Sequence, residues 1–208
     1  MWFQQNLDYR KTDHTFNVNY ILEFKNQAQF EFEFSRQFIY LSNPFDPTRS
    51  ENATPLPGNT GYNFSDWTAK YQSNLANPLI FTSEFSYGGF FNGTRFSYRG
   101  STGYRFQPKV ILGVQWDLNR IELPKPYATA NLILIRPKFD FTLNKKLFWS
   151  TLIQYSNQTN NLGINSRIQW RFAPLSDLYL VYNDNYYTRE FGPVFRSINL
   201  KLTYWLNL

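Results

Sequence analysis

Apolar and polar residues alternate along nearly the whole chain. In its last segment, Ile198, Leu200 and Leu202 fall on one side of an extended backbone, and Asn199 and Lys201 fall on the other. Successive side chains of a β-strand point to opposite faces of the sheet, so this alternation predicts strands that are half buried. No segment shows a clear helical period of 3.6 residues. The pattern therefore predicts an all-β protein.

The alternation recurs in twelve segments. We expect strands at residues 2–10, 14–24, 28–40, 62–74, 79–90, 94–106, 109–119, 128–142, 146–156, 161–172, 177–185 and 195–207. Short turns join most of them, which favours antiparallel pairing of neighbours. No long linker divides the chain, so we expect one domain over residues 1–208.

Aromatic residues are unusually frequent, with Phe, Tyr and Trp making up 20% of the 208 residues. This excess suggests a second apolar environment besides an ordinary core. No stretch approaches the roughly 18 to 20 apolar residues of a membrane-spanning helix. Closed β-structure is the other way to pair every backbone polar group in hydrocarbon. We therefore predict an antiparallel transmembrane β-barrel of about twelve strands, in contact with the lipid of a bacterial outer membrane.

A soluble lipocalin-like barrel is the alternative, because alternation alone does not say which face meets water. The expected strands exceed the length of about five or six residues that is usual in soluble proteins. Aromatic residues also concentrate near the expected strand ends, as in interfacial girdles. They are Tyr9, Phe24, Phe38, Tyr62, Phe90, Phe106, Tyr127, Phe141, Tyr155, Phe172 and Tyr204. These features favour the membrane barrel.

The connections between strands predict an orientation. Outer-membrane barrels have short turns on the periplasmic side and longer loops outside. A periplasmic C-terminus puts the turns near residues 25–26, 76–77, 107–108, 144–145 and 174–175 inside, and all of them are short. The connections 41–61, 120–127 and 186–194 then lie outside. Asn92-Gly93, a two-residue turn signal, makes one outer loop short.

Charged residues on the polar sides of the strands are the candidate functional residues, because we expect them to face the lumen. They are Glu31, Glu33, Asp66, Lys70, Glu84, Arg95, Arg99, Arg105, Asp117, Arg167, Arg171 and Lys201. The acidic candidates come mainly from early strands and the basic ones mainly from later strands. Rings of charge set selectivity in channels, but charge pairing that merely fills the barrel has the same composition. Both interpretations stay open.

Catalytic chemistry has little support. The chain has no cysteine and a single histidine, His14, at an expected outer turn beside Asp13. No motif pairs a serine with His14, so a solvated turn histidine is favoured over a hydrolase. Gly-rich phosphate loops and metal-ligand spacings are absent from the sequence, and we expect no cofactor.

Other ligands are weakly indicated. Oxygen ligands for calcium could come from the long connection, at Asn43, Asp46, Glu51 and Asn52, but turn chemistry explains these residues better. Loop aromatics at Tyr186, Tyr187 and Phe191 could stack on sugars. The net charge of +6 is spread over single basic residues, which argues against nucleic-acid binding. The first residues lack the basic head and apolar run of a signal peptide, so we expect a mature segment or a part of a longer precursor.

Five stretches carry a resemblance to a known family: 87–94 (YGGFFNGT), 119–124 (NRIELP), 154–157 (QYSN), 176–183 (SDLYLVYN) and 200–204 (LKLTY). They resemble the C-terminal barrel region of a Bacteroidota outer-membrane β-barrel family of unknown function. Its members often carry an N-terminal domain similar to family 9 carbohydrate-binding modules. A weaker likeness extends the match to about residues 44–208, at Pro44-Phe45, Pro57-Gly58, Tyr62 and Phe64.

The resemblance implies an outer-membrane barrel, and it leaves open a link to glycans through a domain outside this sequence. Family members continue upstream with more strands, so these twelve could be the C-terminal part of a larger barrel. We expect a non-enzymatic, porin-like protein that acts as a channel, as a membrane anchor or as a subunit of an outer-membrane complex with outer-membrane or periplasmic partners. An outer-membrane hydrolase or a glycan-handling barrel is the alternative.

Overall fold

The computed structural model describes residues 2–5, 11–50, 52–189 and 192–206, with the backbone alone for residues 2–5. Its elements are β1 (Trp2–Gln5), β2 (Lys11–Glu23), β3 (Gln29–Leu41), β4 (Thr60–Gln72), β5 (Leu79–Phe90), β6 (Gly93–Phe106), β7 (Val110–Glu122), β8 (Thr129–Asn144), β9 (Leu147–Ser156), β10 (Asn161–Ala173), β11 (Ser176–Tyr187) and β12 (Gly192–Thr203). Among these residues, no helix has the length and apolar character needed to cross a membrane.

The strands form one sheet in which each strand lies beside the next one in the chain, from β1 to β12. This is the strand order of an up-and-down barrel. The all-β antiparallel fold and its twelve strands are thus confirmed. Whether the barrel closes with these strands, or is part of a larger one, stays a prediction.

Two compact units divide the chain. Unit 1 comprises Met1–Leu75, Thr82–Gly100 and Asp117–Leu132, and unit 2 comprises Ala76–Phe81, Ser101–Trp116 and Ile133–Leu208. The prediction of one domain over residues 1–208 stays a prediction.

Cross-strand register in unit 1 separates an aromatic face from a polar one. Val18 pairs with Phe34, Phe34 with Trp67, and Trp67 with Tyr87. Directly paired residues lie on the same face, so these four side chains form one row across β2 to β5. Val18, Trp67 and Tyr87 are each more than 50% exposed. The aromatic face of unit 1 is therefore open.

Unit 2 has a matching apolar face. One of its rows runs from Phe141 through Trp149, Ile168 and Leu180 to Leu200. Leu200 is 70% exposed, and Trp149, Ile168 and Leu180 are also exposed. Both units thus expose apolar rows of the kind that hydrocarbon covers.

The observed strands depart from the expected ones mainly at their ends. β2 begins at Lys11, so Asp13 and His14 lie inside a strand rather than at a turn, because they continue the pairing with Ile39 and Phe38. β7 extends to residue 122 and β11 to residue 187, beyond the expected ends at residues 119 and 185. The expected end of β12 at residue 207 lies outside the described residues.

The turn between β5 and β6 consists of Phe91 and Asn92 rather than Asn92 and Gly93. Phe91, with a φ of 54°, takes the left-handed conformation that the turn requires. Gly93 opens β6, where a Cβ would overlap the carbonyl oxygen of Glu122. Glycine is therefore needed for a close approach of two strands, and the turn lies one residue earlier than predicted.

The turn between β10 and β11 provides a test of backbone strain. Leu175 has a φ of 56° and is 66% exposed, so its side chain contributes little packing to offset the left-handed backbone. Leu175→Asn should raise the free energy of unfolding by about 1 kcal/mol, because Asn tolerates this conformation better. Urea titration of the protein refolded in detergent measures the change. Leu206→Asn is the matched control, since Leu206 is equally exposed without a positive φ, and an equal gain there would contradict the explanation.

Candidate functional site

The polar face of unit 1 carries eight of the twelve candidate residues. They are Glu31, Glu33, Asp66, Lys70, Glu84, Arg95, Arg99 and Asp117, on β3 to β7. Register places several of them in one row, because Glu31 pairs with Lys70 and Lys70 with Glu84. The candidates in this unit therefore share one surface.

Lys70 is the centre of an ion-pair cluster on this face. Its Nζ lies 3.0 Å from Oε2 of Glu33 and 3.5 Å from Oε1 of Glu31. Glu84, the next residue in the row, forms a 3.5 Å ion pair with Nε of Arg99. These side chains remain partly exposed, so the cluster balances its charges while staying in contact with water.

Arg95 forms a second charged layer, nearer to the connection 42–59. It is attracted by the carboxylates of Asp66 and Asp117 and repelled by Arg99. Asp66 also accepts a 3.3 Å hydrogen bond from Nε2 of Gln37. The layer contains two carboxylates and one guanidinium.

Small hydroxyl residues pack between the two charged layers. Thr68 and Ser86 pair across β4 and β5, and their hydroxyls share a 2.9 Å hydrogen bond. Both residues are buried, and so are Ser97 and, in the row of Asp66, Ser35. Unit 1 thus buries these hydroxyl side chains while Trp67 and Tyr87 of its aromatic row are exposed, the reverse of the usual arrangement in a soluble protein.

The polar face of unit 2 carries the basic candidates Arg167, Arg171 and Lys201. Arg171 forms a 3.3 Å ion pair with Asp177, whose carboxylate also accepts a 3.0 Å hydrogen bond from Gln169. Lys201 lies opposite Tyr179 in the register. These pairings put the three basic residues on a surface rich in hydrogen-bonding groups.

Lys138 and Asp140 extend this face across β8. Lys138 forms a 2.8 Å ion pair with Asp140, and Oγ of Ser150 donates a 2.6 Å hydrogen bond to the same carboxylate. Arg167, which pairs with Ser150 in the register, also attracts Asp140. The described basic residues on β8 to β12 outnumber the acidic ones on this face. Arg105, the twelfth candidate, lies on β6 within unit 2.

One ion pair lies on the apolar side of unit 2. Asp184 pairs with Ile164 and Arg196, on the face that carries Ile168 and Leu200. Its Oδ2 forms a 2.9 Å ion pair with Nη2 of Arg196 and accepts a 2.7 Å hydrogen bond from the Tyr186 hydroxyl. Asp184 is 1% exposed, so the arginine and the tyrosine shield its charge from the surrounding apolar surface.

His14 has apolar neighbours in the register, Phe3 on one side and Phe38 on the other. The hydrogen bonds found among the described residues include none between His14 and a serine.

The long connection uses its oxygens internally. Oδ1 of Asp46 accepts 2.9 Å and 2.7 Å hydrogen bonds from the amide and hydroxyl of Thr48, and Oδ2 accepts a 3.0 Å bond from the amide of Ser50. This agrees with turn chemistry rather than calcium binding. Glu51 and Phe191 lie outside the described residues. Over the described part of the chain, no three His, Cys, Asp or Glu side chains are placed to hold a metal ion.

Sequence reasoning missed three charged residues and a group of apolar ones. Lys138, Asp140 and Asp177 alternate with apolar neighbours in the same way as the predicted candidates, so a complete application of the period of two would have found them. Ile39, Tyr62 and Phe64 are apolar positions on the polar face, and Leu56 lies in the connection. Nothing in the local pattern marks that second group as a cluster.

Comparisons with known proteins give little further information. No protein-family model matches the chain. No curated protein matches it either. Among solved structures, the chain is similar to a KdgM porin in complex with disordered oligogalacturonate, with 9% identity, a TM-score of 0.35 and coverage of 83% of this chain and 88% of that chain. A second structure of a KdgM porin has 10% identity, a TM-score of 0.33 and the same coverage. At these scores neither likeness bears on function, and the resemblance to a Bacteroidota family stays a prediction.

The ion-pair cluster predicts an energetic coupling in unit 1. In a double-mutant cycle with Lys70→Met and Glu33→Gln, we expect a coupling of about 1 kcal/mol, because both side chains are less exposed than those of the control pair below. The free energies of urea unfolding of the four proteins give this value. The exposed pair Arg120 and Glu122 is the control, with an expected coupling below about 0.5 kcal/mol. Equal coupling in the two cycles would count against a cluster stabilised by burial.

Proposed function

We propose that this chain is a non-enzymatic outer-membrane β-barrel protein that forms a channel. The observation that carries the proposal is the direction of burial. Serine and threonine side chains are buried on the polar face, while rows of aromatic and aliphatic side chains are exposed on the other. A soluble barrel keeps its apolar side inside, so this arrangement favours a protein surrounded by lipid.

Strand lengths support a span of the bilayer. The strands from β2 to β12 contain between 10 and 16 residues, and about 9 to 11 tilted residues suffice to cross the hydrocarbon. Counted alternately along the chain, the connections 24–28, 73–78, 107–109, 145–146 and 174–175 contain two to six residues each, and the other set includes the longest connection, 42–59, together with the two-residue turn 91–92. This asymmetry supports a periplasmic C-terminus.

The charged side chains support a channel rather than a sealed wall. Lys70, Arg99 and Arg171 are each between one-third and one-half exposed, although they lie on the polar face and form ion pairs. Charges in contact with water can act on passing ions. The acid-rich cluster of unit 1 and the base-rich face of unit 2 would then favour opposite signs of ion, so removing charge from either one should change selectivity.

A membrane anchor, or a subunit of an outer-membrane complex, is the second candidate. The buried hydroxyl layer at Ser35, Thr68, Ser86 and Ser97 favours it, because a filled interior carries no current. Its partners would be outer-membrane or periplasmic proteins, with a glycan link only through the family resemblance. A hydrolase has no specific support, and equal turnover of lipid or glycan substrates by the wild type and His14→Ala would remove it.

Planar-bilayer recordings test the channel. We expect discrete conductance steps, and in the triple variant Arg167→Gln, Arg171→Gln, Lys201→Gln we expect the permeability ratio of chloride to potassium to fall, because three cations leave the polar face. Glu31→Gln with Glu84→Gln should raise the same ratio. The measurement is the reversal potential in a salt gradient.

Arg36→Gln is the control for removing an arginine charge outside the polar face. Arg36 pairs with Phe16 and Ser65, which puts it on the aromatic face. Removing its charge should leave the reversal potential unchanged. Absence of conductance in all variants would leave the anchor as the remaining proposal, and an equal shift with Arg36→Gln would contradict a selective polar face.

A further inference from the structure

The polar face of unit 1 becomes apolar at one end. Here the loop end means the end of the strands from which the connection 42–59 emerges. Ile39 pairs with Tyr62, and Gln37 with Phe64, directly beyond the row that contains Asp66. The period of two would place polar residues at these positions. Ile39, Tyr62 and Phe64 stand at three of them instead, and only Gln37 follows the pattern.

A residue of the connection covers this apolar end. Leu56 has no exposed surface, and it packs in one cluster with Tyr62, Phe64 and Phe91. These four residues are called the plug. The partly buried Ile39, Leu41, Phe90 and Tyr127 pack against it. The plug lies on the same face as the charged layers, so it covers that face and not the aromatic one.

The connection is held in its folded position by its own hydrogen bonds. Phe45 and Leu56 form an antiparallel bridge, with bonds of 3.0 Å and 2.8 Å between their amides and carbonyls. Asp46 binds Thr48 and Ser50 through both of its carboxylate oxygens. These hydrogen bonds hold the described residues of the connection in a defined fold.

The hairpin of β5 and β6 supplies the remaining side of the plug. The Phe91 ring centroid lies 5.4 Å from that of Tyr62, 5.7 Å from that of Phe64 and 5.9 Å from that of Phe45. Phe91 takes a left-handed backbone conformation that a bulky residue rarely adopts. Such outliers persist only where the surrounding structure holds them. Packing of the Phe91 ring in the plug holds its backbone in the left-handed conformation.

A charged layer lies directly beneath the plug. The Arg95 guanidinium lies 4.5 Å from the ring centroid of Phe90, which packs against the plug. Asp66 follows Phe64 by two residues on the same face. The plug thus separates the Asp66 and Arg95 layer from the loop end.

We propose that the plug closes the loop end of the polar face of unit 1 and limits the size of solute that reaches the charged layers. This inference rests on the proposed channel. A loop that only extended into solvent would not explain the fully buried Leu56 or the apolar patch on the polar face. It would also leave the strained turn at Phe91 unexplained. The expected consequence is a small conductance that rises when the plug is opened.

Leu56→Asp tests the proposal, because a carboxylate in a fully buried apolar site should expel the connection. We expect single-channel conductance to rise several-fold. Thr54→Asp adds the same charge at an exposed position of the same connection and should leave conductance unchanged. Asp46→Ala, which removes hydrogen bonds outside the plug, is the second variant should Leu56→Asp fail to fold, and it should also raise conductance.

Thiol labelling provides a readout that does not depend on current. The chain has no cysteine, so Asn19→Cys, on the row of Glu33 and Thr68, introduces a single reactive group beneath the plug. On intact cells, a large maleimide should label it slowly in the wild-type background and faster with Leu56→Asp. If neither the wild type nor the variants conduct but Leu56→Asp accelerates labelling of Asn19→Cys, the proposed channel is wrong and the proposed closure by the plug is supported. If labelling and conductance are unchanged in both Leu56→Asp and Asp46→Ala, the proposed closure by the plug is wrong.

Discussion

Hydrogen bonding between neighbouring strands is the constraint on which the rest of the structure depends. A strand satisfies its backbone groups only in the strand beside it, and antiparallel pairing then fixes the residue that stands opposite each position. Once Glu33 lies opposite Thr68, Glu31 must lie opposite Lys70, and Phe34 opposite Trp67. One register thus builds the ion-pair cluster on one face and the aromatic row on the other. A slip of one residue would exchange the two faces.

The two faces need different surroundings. Lys70, Glu31 and Glu33 balance one another and keep part of their surface in water, which limits the cost of removing charge from solvent. The aromatic row has no such partner within the described chain. Hydrocarbon is an environment that would cover it without requiring hydrogen bonds. In unit 2, the buried charge of Asp184 on the apolar side is accommodated because Arg196 and Tyr186 bind its carboxylate.

The plug forms where the alternation of polar and apolar residues in β4 is interrupted. Phe64 and Tyr62 interrupt the polar face of β4, and Leu56 and Phe91 arrive from two separate connections to bury them. Left-handed backbone at Phe91 costs about 1 to 2 kcal/mol by itself. Packing among four aromatic rings offsets that cost. The expected glycine of the turn instead serves the close approach of β6 to Glu122.

Alternation by itself determined the twelve strands and which residues share a face within each one, because the period of two is a local property of extended backbone. It therefore predicts that Glu31 and Lys70 lie on the polar sides of their strands, and the same period also assigns Lys138 and Asp140 to the polar side of β8. Only tertiary structure decided that Lys70 lies between two glutamates, that Arg196 shields Asp184 and that Leu56 covers Phe64. These contacts depend on register and on the path of a long connection. Both arise from pairing and packing between residues far apart in the chain, which a local pattern does not contain.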